Sequence, residues 1–171
     1  MKMRIIISII IALVFSVGCD STNKQIDKRW NDAKLFRDEG KLGKSITSLL
    51  IIVEEYPSHE KAADARFQIG EIYLNDVKDF EIAVKHFKKV IEDYPDSKIA
   101  VKSHFMIGYI YANYLEAYSD GINYYKDFLK KYPQDELSPS VEYELKNMKD
   151  IITVIDSLNN EADIKRNMEN N

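Results

Sequence analysis

Residues 67–95 read FQIGEIYLNDVKDFEIAVKHFKKVIEDYP, and most of this stretch returns one period later. Phe105, Ile107, Gly108 and Tyr111 stand 38 residues after Phe67, Ile69, Gly70 and Tyr73. Tyr118, Ile122, Tyr125 and Phe128 stand at the same distance from Phe80, Val84, Phe87 and Val90, and Tyr132-Pro133 from Tyr94-Pro95. A third such dipeptide, Tyr56-Pro57, lies 38 residues before Tyr94-Pro95. Three copies at one period mark a chain of stacked supersecondary units, none of which can bury its apolar face alone. The period predicts a helical solenoid.

Spacing inside one copy supports this. Ala62, Ala65, Ile69, Ile72 and Tyr73 recur at three- and four-residue steps, as in a helix with one buried face. Asn75, Asp76 and Asp79 break that helix. A second runs from about Phe80, with Ala83, Phe87, Val90 and Ile91 on its apolar side. Pro95 ends it, because proline lacks an amide donor and restricts Tyr94 before it. Ser97 is placed to cap the next helix. The expected fold class is all-α, a superhelix of about three helix-turn-helix units.

These residues resemble the tetratricopeptide repeat. That family has a small residue where the first helix crosses its partner (Gly70, Gly108) and an aromatic three residues later (Tyr73, Tyr111). It has a small residue early in the second helix (Ala83, Gly121), an aromatic four later (Phe87, Tyr125) and a terminal proline (Pro95, Pro133). Antiparallel helices approach closely only if one contributes almost no side chain at the crossing, and aromatics fill the wedge beside it. The usual unit has about 34 residues; the longer period here places one extra residue in the turn and three between units. Ala33, Phe36, Ser45, Leu49 and Pro57 fit the same template if the turn around Gly40-Lys41 lacks the extra residue. Val141, Tyr143 and Leu145 follow Ser103, Phe105 and Ile107 by 38 residues, so a fourth first-helix begins, with Ser138-Pro139 as its cap and first-turn proline. Leu145, Met148, Ile152 and Ile155 continue its stripe without a second partner, as a capping helix would. The array is expected over 27–158, followed by a polar, Asn-rich tail over 159–171 that frays.

Ahead of the array, Lys2 and Arg4 precede the apolar run Ile5 to Val17. That run is too short for a bilayer span of roughly 20 residues and reads as the core of an export signal. Val17-Gly18-Cys19 resembles the lipobox of bacterial lipoproteins, although Ser16 stands where that family usually has Leu. The resemblance implies a lipoprotein signal peptide over 1–18, lipidation of Cys19, and a polar tether over 19–26. Two acyl chains would anchor the protein stably; an ordinary cleaved signal with an incidental cysteine is the alternative. Asp20 resembles the inner-membrane retention signal of enterobacteria, a rule that other lineages do not use.

Composition agrees with one ordinary domain of 171 residues, 45% of them hydrophobic and 30% charged. The formal charge of −4 becomes −6 once Lys2 and Arg4 leave with a signal peptide. A mildly acidic chain without a long basic run is a poor partner for nucleic acid. Its single cysteine excludes an intrachain disulfide.

Chemistry is sparse. His59, His86 and His104 stand singly, with no Cys or acidic cluster completing a metal set. Gly-rich phosphate loops, GxSxG and HExxH are missing from the sequence. Glu54-Glu55 and Glu92-Asp93 repeat at the period just before Tyr-Pro and read as surface positions. No catalytic residue, cofactor or small-molecule substrate is expected. A binding surface is the better candidate. Family groove positions on the first helices carry over to Trp30, Lys34 and Arg37, then Phe67, Glu71, Leu74 and Asn75, then Phe105, Tyr109 and Asn113. Trp30, Phe67, Phe105 and Tyr143 would form an aromatic ladder with polar neighbours, as peptide-binding surfaces do. Packing between adjacent units is the competing explanation of the ladder.

The longer unit, with Tyr-Pro, Ser97 and the Ala-x-Phe-x-Ile-Gly run, is similar to repeats of envelope lipoproteins of the BamD type and of TolA-binding coordinators. That similarity implies a non-catalytic, lipid-anchored adaptor facing the periplasm, at the outer membrane rather than the inner. Outer-membrane protein assembly and the Tol-Pal or peptidoglycan-linked machinery are its implied settings. A pilotin-like escort for a secretin or pilus component, or a purely structural spacer, are the alternatives.

Overall fold

The computed structural model describes residues 21–169, and every regular element within them is helical. Helix α1 covers residues 21–38. It is followed by α2 (Leu42–Glu55), α3 (Lys61–Ile72) with a π-helical turn at Tyr73–Val77, and α4 (Phe80–Asp93). Then come α5 (Lys98–Asn113), α6 (Tyr118–Lys131) and α7 (Ser138–Glu169). From α2 onward each helix packs against its chain neighbours, α3 also touches α5, and α7 closes the end against α6. The all-α repeat array expected from the period is the fold.

Close approach within a pair depends on the glycines. A Cβ built on Gly70 would lie 2.7 Å from Phe87 Cε1, and one on Gly108 would lie 2.4 Å from Tyr125 Cε1. Both rings are fully buried, so the missing side chains are what let α4 and α6 seat against α3 and α5. Ser97 caps α5 as expected, its hydroxyl accepting from the Ala100 amide at 3.1 Å, and Asp79 caps α4 by accepting from the Ile82 amide at 3.0 Å. Ser138 differs: it lies inside α7, and its hydroxyl donates to the Tyr132 carbonyl at 2.7 Å instead of capping.

Turn geometry explains the long period. The Asp79 amide donates to the Tyr73 carbonyl and the Ala117 amide to that of Tyr111, both at 2.9 Å, closing six-residue steps. In the first unit the Lys41 amide reaches Phe36 at 2.7 Å, a five-residue step. The extra residue of the later units is thus held in a widened turn, and the first unit lacks it as expected. Each turn leaves through a left-handed residue at the same repeat position: Gly40 (φ 72), Lys78 (φ 61) and Glu116 (φ 51). Only the first uses the residue type that adopts this conformation without steric cost.

Three apolar clusters run along the array, centred on Leu49 with Ile52 and Ile69, on Phe87 with Ile107 and Ile110, and on Tyr125 with Phe128 and Met148. Each large side chain removed from water contributes about 1.5–3 kcal/mol. The clusters span the joints between units, so each unit is held by its neighbours.

Both ends differ from expectation. Residues 21–26 are helical, and Ile26 is 0% exposed in the first cluster; the stretch expected as part of a tether is the start of α1. The 159–169 segment, expected to fray, continues α7. Lys146, exposed on α7, stands 38 residues after Gly108, so α7 carries a long side chain where α3 and α5 carry glycine. Beyond Met148 the α7 stripe comes out into solvent, with Ile151 41%, Val154 57%, Ile155 40% and Leu158 58% exposed.

Candidate peptide-binding groove

The ten residues expected in the groove lie on α1, α3 with its π turn, and α5, and they do not share one fate. Trp30 is half-buried against the Leu49 cluster, and the Lys61 ammonium lies 5.9 Å from its ring centre; Lys61 also pairs with Asp27. Lys34 is exposed. Arg37 donates through Nε and Nη2 to Oδ2 of Asp76, at 2.8 and 2.7 Å, tying the first unit to the second. Glu71 lies close by; burial raises its carboxyl above the usual range, and the Arg37 charge works against that rise.

Leu74 is not a groove residue. It is 4% exposed and packs in the cluster of Phe87, Ile107 and Ile110. It sits one position before Asn75, about 100° round a helix, so it points into the joint between units while Asn75 faces solvent.

The aromatic ladder is part packing, part surface. The Phe67 ring lies 5.0 Å from that of Phe87, and Phe105 lies 5.9 Å from Tyr125. Each therefore rests on the buried ring of its own unit's second helix and keeps an edge open, both being half-buried. Phe105 stacks on Tyr109 at 6.3 Å, and Tyr109 meets Tyr114 edge-on at 5.9 Å. The Asn113 amide donates to the Tyr109 carbonyl at 3.0 Å, and Tyr143, the last rung, is 64% exposed. The face thus has a charged sector, where Trp30, Lys34, Arg37, Gln68, Glu71 and Asp76 border one concavity, and an aromatic sector around Phe105, Tyr109 and Tyr114.

Beneath the aromatic sector lies the Tyr125 hydroxyl, which finds no hydrogen-bond partner among the described residues. Burial raises its pKa, and the Glu144 charge adds to this. The equivalent ring one repeat earlier is Phe87, so the fold has no need of the oxygen. An unpartnered buried hydroxyl costs about 1–3 kcal/mol. Tyr125→Phe should therefore hold stability or raise it by about 1 kcal/mol, read from the urea midpoint; a loss of that size would reveal a partner for the hydroxyl.

Residues suited to catalysis do not come together. Among the described residues no group of three His, Cys, Asp or Glu side chains could hold a metal ion. The His59 ring accepts the Lys61 amide at 3.1 Å in a turn, and His86 stacks on Tyr73 at 5.4 Å. Glu54, Glu55, Glu92 and Asp93 are exposed. Cys19 and the signal expected over 1–18 lie outside the described residues; within them no helix is long and apolar enough to cross a membrane.

Comparison with known families matches the tetratricopeptide repeat to residues 64–97 and 102–135. The first match covers the α3–α4 pair and the second α5–α6, and their starts are one 38-residue period apart. No curated protein matches the chain. These two stretches match the tetratricopeptide repeat, a unit that in general mediates protein–protein contacts in scaffolds rather than catalysts.

Proposed function

We propose, on the premise of those two repeats, that this chain is a non-catalytic adaptor whose concave face holds a segment of a partner protein. The observation that carries this is the half-open ladder of Trp30, Phe67 and Phe105 beside exposed Lys34, Asn75 and Asn113. Rings fixed from behind lose little conformational freedom on contact, so aromatic edges among polar neighbours suit recognition. A structural spacer would bury such rings completely.

The setting rests on the sequence. The apolar run Ile5 to Val17, with Cys19 just after it, supports a lipid anchor in a bacterial envelope, on the periplasmic side of the outer membrane. Similarity to BamD-type and TolA-binding repeats supports a place in outer-membrane protein assembly or Tol-Pal-linked machinery. Cys19→Ser should move the protein from the membrane fraction to the soluble fraction and abolish metabolic labelling by palmitate. A variant that stays on membranes would refute the anchor. Crosslinkers on the concave face test the partner-holding role separately.

A further inference from the structure

The second helices α4 and α6, outside the groove residues, carry a feature that the adaptor reading does not use. Between the second and third units lies a cleft of about 360 Å³. Lys88 and Ile91 of α4 form one wall, Tyr124, Asp127 and Lys131 of α6 the other, and His104 of α5 lies at the floor.

We propose that this cleft is a second binding site, separate from the groove, that takes the carboxylate of an acidic side chain presented by a partner protein. The charges around it are unequally satisfied. Asp127 is engaged by Lys131 at 2.8 Å, and Glu92, at the rim, by Lys89 at 2.8 Å. Lys88 has only neutral company among its described contacts. Its ammonium donates to the Tyr111 hydroxyl at 3.3 Å and lies 5.8 and 5.6 Å from the ring centres of Tyr111 and Tyr124. Ring faces position a cation but do not neutralise it, so one positive charge is left facing the cleft.

His104 supplies the second polar group. It is 2% exposed, and neither ring nitrogen makes a hydrogen bond among the described residues. Nε2 stands 3.4 Å from Asp127 Oδ2, an approach without hydrogen-bonding geometry. Tyr124, Phe128 and Tyr132 hold its ring edge-on at 5.5 to 6.0 Å. A buried imidazole at the floor of a cleft, beside an ammonium that no carboxylate engages, suits an entering oxyanion. Ile91 and the Tyr124 ring would cover the methylenes of a glutamate.

The repeat provides an internal comparison. One period earlier Leu50 stands at the position of Lys88, Arg66 at that of His104, His86 at that of Tyr124, and Lys89 at that of Asp127. The same helix seam therefore forms without an ammonium at this place, and Lys88 is not explained by folding.

The intact chain, solubilised and labelled for NMR of the His104 imidazole and the Lys88 ammonium, tests this. The probes are an acetylated, amidated Gly-Glu-Leu-Gly peptide, its Gln counterpart, and inorganic phosphate. The Glu peptide should shift both resonances and bind at least about tenfold more tightly than the Gln peptide. Lys88→Met should weaken it by a similar factor, Lys88→Arg should retain it, and Lys34→Glu in the groove should leave it unchanged. The proposal is overturned by equal affinity for the two peptides, by undiminished binding to folded Lys88→Met, or by loss on Lys34→Glu. Phosphate binding more tightly than the Glu peptide would likewise overturn the assignment to an acidic side chain.

Discussion

Gly108→Ala is expected to destabilise the array by about 3 kcal/mol, the upper range for overpacking a filled core. The added Cβ would sit 2.4 and 2.5 Å from Tyr125 Cε1 and Cδ1. The ring cannot retreat, since it is 0% exposed and Phe105 lies against it at 5.9 Å. Helix propensity works the other way, favouring Ala over Gly by about 1 kcal/mol, but van der Waals overlap of this depth dominates. For a chain of this size the loss corresponds to a fall in Tm of roughly 6–12 °C. Gly43 is the internal control: it lies in the first turn of α2, exposed, and a Cβ there meets nothing within 4 Å. Gly43→Ala should therefore raise stability by about 0.5 kcal/mol. Opposite signs for one substitution at two helical glycines separate the crossing from simple propensity. Trimming the ring (Tyr125→Leu) in the Gly108→Ala background should recover more than about 1 kcal/mol of coupling in a double-mutant cycle.

Stability should also fall as the pH drops from about 6.5 to 4, and His86 is the main reason beyond ordinary carboxylate titration. Burial and then the Arg66 charge lower its folded pKa to about 4, while in the unfolded chain it titrates near 6.5. Between those values the unfolded chain binds a proton that the folded chain refuses, so unfolding gains as pH falls. The array is fully stable with respect to this group above pH 6.5 and has lost its contribution by about pH 4. The full shift would correspond to about 3 kcal/mol, and partial exposure reduces this to roughly 2 kcal/mol. His104, lowered mainly by its own burial, acts in the same direction. His86→Phe keeps the stack on Tyr73, 5.4 Å away and 11° from parallel, but cannot take the proton. Its stability should depend less steeply on pH in that window, measured as urea midpoints at pH 7 and 4.5. An unchanged slope would refute the assignment.

The 38-residue period made the repeat visible in the sequence because packing requires the same few residue types at each crossing. It also located the shortened first turn, because Phe36 and Gly40 sit one residue closer together than Tyr73 and Lys78. The start of α1 was hidden by polar neighbours, although Ile26, Trp30 and Ala33 are spaced as one helical face. Leu74 was misplaced because a groove position was transferred along with its neighbour, while the neighbour alone faces outward. The ladder could not be resolved in advance: whether a ring packs or protrudes depends on Phe87 and Tyr125, which meet it across a helix pair. The outer cleft left no signal, since Lys88, His104 and Asp127 come from three helices and match no motif.

The central claim, that the concave face grips a partner, is tested most directly by site-specific photocrosslinking in cells of the native host. A benzophenone side chain at Lys34, Asn75 or Asn113 would sample the groove, and one at Glu54 or Glu55 would sample exposed positions away from both the groove and the outer cleft. Discrete adducts to the same protein from the three groove positions, and none from the other two, are the predicted result. Groove positions that crosslink nothing, or no more than Glu54 and Glu55, would leave the array a spacer and contradict the account.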